Sequence, residues 1–156
     1  MNFELIRPTE EYFTLVLTFF ENKEFYFRTK RPETLNEGII RNIIFRENTF
    51  LVSYGDRIEG IIQFEQNDIE NEAIDIHVRF KNMELLFENI EKFYDALYEI
   101  LGKNCFVKGK SFAFDSYGVR LWQTMGFKIE AVLSKHIFKN GAYHDMIIFS
   151  KELRKA

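Results

Sequence analysis

The sequence predicts an α/β domain in which one twisted, mixed sheet packs against helices. Three observations predict it. Runs with the two-residue period of strands alternate along the chain with runs that have the 3.6-residue period of helices. The helical runs fall between strands, an order that a sheet flanked by helices buries most simply. Of the 156 residues 46% are hydrophobic and 29% charged, with only 2 Pro and 8 Gly, which is the make-up of a single domain over 1–156 with a full core and no linker.

The elements follow in order. Phe3 to Arg7 read as a first strand, ended by Pro8, which has no N–H for a ladder bond. Thr9 is placed to cap a helix over 10–21. Glu10 and Glu11 fall in its first turn, where the helix dipole favours anions, and Tyr12, Leu15, Val16 and Phe19 recur on one face. A second helix is expected to begin at Pro32 and to carry Leu35, Ile39, Ile40, Ile43 and Ile44. Between the two, Glu24-Phe25-Tyr26-Phe27-Arg28 is aromatic but aperiodic, which marks it as a lid or a substrate-facing loop.

From Thr49 the period shortens. Phe50 to Tyr54 and Arg57 to Glu65 form a hairpin around Gly55-Asp56, and a polar turn over 66–72 leads to a strand from Ala73 to Val78. Met83, Leu86, Phe87, Ile90, Tyr94, Leu97 and Leu101 then describe one long amphipathic helix, stopped by Gly102. A strand over 105–114 and a short helix over 116–125 follow. Two last strands, 128–138 and 143–150, are joined through Asn140-Gly141, the preferred dipeptide of a tight hairpin turn.

Composition excludes several classes of function. A net charge of -3 argues against general affinity for nucleic acid, and the short basic run Arg28-Thr29-Lys30-Arg31 reads as a solvated loop. The 18 Phe fall mostly at periodic apolar positions and belong to the core. One cysteine, Cys105, leaves no disulfide framework, zinc ribbon or iron-sulfur cluster within the chain, reads as a buried apolar thiol and fits a reducing compartment. No His/Cys/Asp/Glu spacing resembles a metal site. The opening Met1 to Pro8 carries Glu4 and Arg7 within its apolar stretch and does not read as a signal peptide; no uncharged apolar run approaches the roughly 20 residues of a bilayer span. A cytoplasmic protein with no membrane partner is expected.

The element order, read with Asp115-Ser116-Tyr117-Gly118-Val119-Arg120-Leu121-Trp122-Gln123-Thr124-Met125-Gly126-Phe127, resembles the GNAT superfamily of acetyl-CoA-dependent N-acetyltransferases. The terminal hairpin from Phe138 to Ser150 is similar to the ending of the branch that acetylates ribosomal-protein N-termini, polyamines and small amines. The resemblance implies acetyl-CoA as acyl donor and a primary amine of a small molecule or peptide as acceptor. It also implies a homodimer built on the terminal strands. The reaction it implies needs a phosphate cradle, a donor for the developing oxyanion, a base for the amine proton and an acid for the leaving thiolate.

For the cofactor, the resemblance points to the backbone of Val78, to Arg79, Phe80, Lys81, Asn82 and Met83 before the long helix, and to Asp115. The stretch departs from the family pattern: no glycine stands in 78–86, and Phe80 and Met83 would crowd a backbone approach to phosphates. Solvated basic residues at a strand end are the other reading of Arg79 and Lys81. His77 is the leading base, because an imidazole titrates near neutrality and Asp75 on the same strand face can orient it; the wet face of an amphipathic strand accounts for both equally simply. Tyr26 and His144 are expected at the acceptor pocket.

The family's acidic Tyr falls on Trp122, whose indole N–H has no usable acidity and which reads as core. Tyr117 lies five residues earlier, with a hydroxyl that can reach the same cleft. Loss of both the glycine loop and the acid is what a catalytically degenerate protein of this fold, binding a cofactor or a partner, would show. A transferase using another acyl thioester is a third reading.

Overall fold

The computed structural model describes residues 1–22, 25–27, 29, 31–46, 48–66 and 73–154. Its strands, in chain order, are β1 (Phe3–Ile6), β2 (Thr49–Tyr54), β3 (Arg57–Gln66), β4 (Ala73–Phe80), β5 (Cys105–Phe112), β6 (Lys128–Lys139) and β7 (Ala142–Leu153). All seven join one sheet in the order β1-β2-β3-β4-β5-β7-β6. Neighbours run antiparallel except β4 and β5, which are parallel. A mixed α/β sheet flanked by helices is thus what the sequence builds.

Each face buries a helical layer. Helix α1 (Glu10–Phe20) and helix α2 (Glu37–Ile44) set Phe13, Val16, Ile40 and Ile44 against Leu51 and Ile61. On the other face, α3 (Met83–Glu88), α4 (Ile90–Leu101) and α5 (Ser116–Thr124) supply Leu86, Phe93, Leu97, Leu121 and Trp122 to a core with Ile62, Ile76, Val78 and Phe149. Cys105 is buried there, and burial pushes its thiol pKa up, so it packs as an apolar group. Among the described residues no helix is long and apolar enough to cross a membrane.

Several expectations are corrected. Helix α2 begins at Glu37 rather than Pro32: residues Pro32–Thr34 form a separate 3-10 turn, Leu35 is extended, and the Asn36 side chain accepts the Ile39 N–H at 2.9 Å to start the helix. Thr9 makes no side-chain cap to α1. The expected long helix is two, broken at Asn89, whose amide donates to Leu85 O at 3.0 Å while its Oδ1 accepts the Tyr54 hydroxyl at 3.2 Å. That side chain competes with the helix for local partners, as asparagine does. Strand β4 runs two residues past Val78, because Arg79 and Phe80 still pair with Ile61 and Gly60 of β3. Glu24, Arg28 and Lys30 of the aromatic and basic segments, and most of the polar turn (67–72), lie outside the described residues.

Turn chemistry behaves as read. Asn140 and Gly141 both take positive φ, 53° and 78°, as the tight hairpin turn between β6 and β7 requires, and Gly102 ends α4 in the left-handed region. Gly109 serves a different need: a Cβ on β5 there would overlap the six-membered ring of Trp122, which lies flat on the strand. Gly109→Ala is therefore expected to destabilise the fold by about 1–3 kcal/mol, read as a lower urea midpoint at unchanged slope.

Candidate functional site

The parallel pair at the centre of the sheet is short. Ala73, Ile74 and Asp75 of β4 sit opposite Phe106, Val107 and Lys108 of β5, and pairing stops there. Beyond that point β4 stays with β3 as far as Phe80 opposite Gly60, while β5 stays with β7 as far as Phe112 opposite Met146. The halves of the sheet therefore diverge, and a wedge opens between the C-terminal ends of β4 and β5. At its depth a narrow void of about 30 Å³ is lined by His77, Val78, Arg79, Ser111 and Trp122, with Tyr26 on its rim.

Side chains from α5 bridge the wedge. Asp115 is the N-cap of α5, its Oδ1 accepting the Gly118 N–H at 3.1 Å, and its Oδ2 pairs with Arg79 Nη2. The two side chains are only 6% and 3% exposed, so this ion pair is shielded from water and salt. Arg79 also lies 5.1 Å from the Tyr117 ring centroid. Its other terminal nitrogen, Nη1, is buried with no hydrogen-bond partner among the described residues. A buried guanidinium N–H without an acceptor is costly.

Tyr117 completes the bridge. Its hydroxyl accepts the Phe80 N–H at 3.2 Å and donates to the Phe80 carbonyl oxygen. Burial raises its pKa, against the opposing pull of Arg79 and of the bond to Phe80, so the phenol remains protonated at neutral pH. Trp122 has no such position. It is 97% buried, with Nε1 donating to Ser111 Oγ at 3.0 Å, and serves the core. The hydroxyl at the wedge thus comes from Tyr117, and its sequence signal was the helix start itself: residue two of α5 lies beside the strand ends, whereas Trp122 is more than one turn deeper.

Each remaining residue singled out in the sequence has a definite place. Val78 is a core residue of β4, and Arg79 and Phe80 belong to the strand rather than to a loop. Lys81 follows, its backbone N–H bonded to Glu59 O at 2.7 Å and its Nζ 5.2 Å from the Phe19 ring. Asn82 caps α3 by accepting the Leu85 N–H at 3.1 Å; the Met83 and Glu84 N–H groups have no intrahelical acceptor to reach. Thr18, Phe19, Asn22, Phe25, Lys81 and Tyr117 surround a cleft of about 300 Å³ on this side of the wedge.

On β4, Asp75 and His77 share a face, but the carboxylate beside His77 Nε2 is Glu65 Oε2 at 3.6 Å. Tyr26 and His144 do meet, in a second cleft of about 360 Å³ with Phe114, Asp115, Tyr117 and Lys139. There the Lys139 ammonium donates to the Tyr26 hydroxyl at 2.8 Å, and His144 packs edge-on to Phe114. The His144 Nε2 lies 3.0 Å from Lys139 O, a contact that requires a proton on that nitrogen. Tyr117 belongs to both clefts, so the two meet over the Arg79–Asp115 pair.

No protein-family model matches the chain, and no curated protein matches it by sequence. Solved structures do match. An acetyltransferase of the GNAT family from Bacillus anthracis superposes with a TM-score of 0.75 at 13% identity, over 97% of this chain and 95% of that one. A spermidine N-acetyltransferase from Vibrio cholerae, in complex with CoA and spermine, gives 0.72 at 13% identity over 97% and 96%. YncA from Salmonella typhimurium, with its cofactor acetyl-CoA, gives 0.68 at 12% identity over 100% and 96%.

Removing one partner of the buried pair leaves the other charge stranded. Arg79→Met and Asp115→Asn are each expected to cost about 3–5 kcal/mol in chemical denaturation, and the double variant less than the sum of the two. With the central divergence of β4 from β5, these superpositions identify the architecture as the GNAT fold.

Proposed function

We propose that this protein is an N-acetyltransferase of the GNAT family, taking its acetyl group from acetyl-CoA and passing it to a primary amine of a small molecule or peptide. The observation that carries this reading is the wedge between β4 and β5 with a buried, unsatisfied guanidinium N–H inside it. Structural neighbours that hold CoA or acetyl-CoA in the same fold support it.

The residues present fit the cofactor in three respects. Lys81, at the 300 Å³ cleft, offers charge to phosphates, supplying by side chain what a glycine loop supplies by backbone. Arg79 Nη1 is buried without an acceptor and would donate to a carbonyl oxygen that gains charge during acyl transfer once a bound ligand opens the way to it. Tyr117 keeps its proton and stands at the wedge mouth. Bound acetyl-CoA supplies an acyl carbon activated as a thioester.

The chain's own groups then divide the work. His77, beside Glu65, takes a proton from the incoming amine as its nitrogen bonds to the acyl carbon. Arg79 holds the oxygen, and Asp115 keeps Arg79 in place while neutralising its other nitrogen. Tyr117 would give its proton to the leaving sulfur once its bond to the Phe80 carbonyl oxygen is released. One proton is taken and one given, so the site returns to its starting state by exchange with water. One observation favours a second reading: both backbone groups of Phe80 are engaged by Tyr117, which suits a protein of this fold that binds without catalysis.

Thermal unfolding with millimolar acetyl-CoA, against free CoA, separates the two. A ligand at about 100 times its dissociation constant adds roughly 2.7 kcal/mol, and a raised midpoint with acetyl-CoA is expected. No rise with either ligand overturns the transferase reading. Tyr117→Phe is expected to keep that rise and to lower kcat about 10²- to 10⁴-fold. We also propose a homodimer through β6, supported by its edge position and by Ile129 and Val132, 56% and 53% exposed; light scattering should then give twice the chain mass.

A further inference from the structure

We infer that the acceptor is an amine that also carries an anionic group, a carboxylate or a phosphate. The inference rests on the transferase reading above and narrows its substrate. It is drawn from the charge of the cleft that Tyr26, Phe114, Asp115, Tyr117, Lys139 and His144 enclose.

Among the described residues of that cleft, Asp115 is the one carboxylate, and it is already committed: its side chain is 3% exposed, one oxygen is paired with Arg79 and the other holds the Gly118 N–H. It offers nothing to a cationic ligand. Lys139 is placed the other way. Its ammonium stands 4.6 Å from the Tyr26 ring centroid and 4.9 Å from that of Phe114, and donates one hydrogen to the Tyr26 hydroxyl. Two aromatic faces and a phenol hold this charge at the cleft, and among the described residues no carboxylate pairs with it.

An ammonium held by rings keeps two N–H directions and its full charge for a ligand. The protonated Nε2 of His144 is spent on Lys139 O, which fixes the hairpin strand that carries the lysine. A cation with no carboxylate partner among the described residues attracts an anion and repels a second cation. A polyamine, with several positive charges and no free carboxylate to meet them among the described residues of the cleft, is disfavoured here. A small molecule whose anionic group pairs with Lys139 while its amine turns toward the wedge satisfies both ends.

The test compares matched acceptors with the full chain and acetyl-CoA. Phenylalanine is set against phenylalaninamide, O-phosphoethanolamine against ethanolamine, and spermidine serves as the cationic acceptor. At least one anionic amine is expected to exceed its uncharged counterpart in kcat/KM by about tenfold or more, with spermidine slowest. Whichever pair shows the larger ratio identifies carboxylate or phosphate as the group read. Lys139→Gln is expected to collapse that ratio and Lys139→Arg to restore it, which a merely structural lysine would not do.

Equal or faster transfer to the uncharged amines or to spermidine overturns the acceptor class and leaves the transferase reading standing. So does a ratio unmoved by Lys139→Gln. Transfer to none of the five amines overturns both.

Discussion

What the rest of this protein depends on is the failure of two parallel strands to stay together. β4 and β5 pair over three residues and then follow different partners, β4 with β3 and β5 with β7. Each strand satisfies its backbone on its outer side, so the inner edges are left facing one another across a gap that widens toward the strand ends. Buried N–H and C=O groups need partners, and here α5 supplies them. Tyr117 serves both backbone groups of Phe80, and Asp115 reaches Arg79. The same bridging groups are polar, donor-rich and sheltered from water, which is the setting in which electrostatic effects on a reacting carbonyl are largest.

Local packing makes that bridge possible. The indole of Trp122 can lie on β5 only because Gly109 has no side chain, and α5 can approach Ser111, with the carboxylate of its own cap Asp115 between, only because Gly118 has none. These glycines are not turn residues. They let α5 settle close to β5, which brings the N-terminal turn of α5, with its capping aspartate, up to the end of β4. Had α5 stood further off, Asp115 would still cap its helix but would not reach Arg79.

The fold was legible because its signals are local and redundant. Period, turn dipeptides and helix stops placed every strand within a few residues, and Asn140-Gly141 took the backbone its sequence requires. The two helix boundaries that moved share a cause: a polar side chain chose them. Asn36 started α2 five residues after Pro32, and Asn89 broke a helix whose apolar period runs through it. The candidate site was legible only in part. Tyr26 and His144 line one cleft, but Arg79 looked like a loop cation and is a buried strand residue, because the strand's length is set by pairing with Ile61 and Gly60 rather than by its own pattern. Glu65 beside His77 was equally out of reach of sequence, since register between β3 and β4 decides which acid meets the imidazole.

Trp122 and Tyr117 of α5 show how one short helix serves both the core and the strand ends. A residue two places into the helix and one seven places in differ by five positions, or about 500° of helical rotation, which brings them to directions roughly 140° apart. The deeper position faces the sheet, where a large apolar ring with one N–H donor packs well over Gly109. The earlier position faces the strand ends, where a hydroxyl can both accept from and donate to one backbone residue. Burial raises the phenol's pKa at that earlier position, so a proton is held where the wedge opens. The ring that packs and the hydroxyl that meets the strand end therefore belong to different side chains, Trp122 and Tyr117, each in the environment its own chemistry needs.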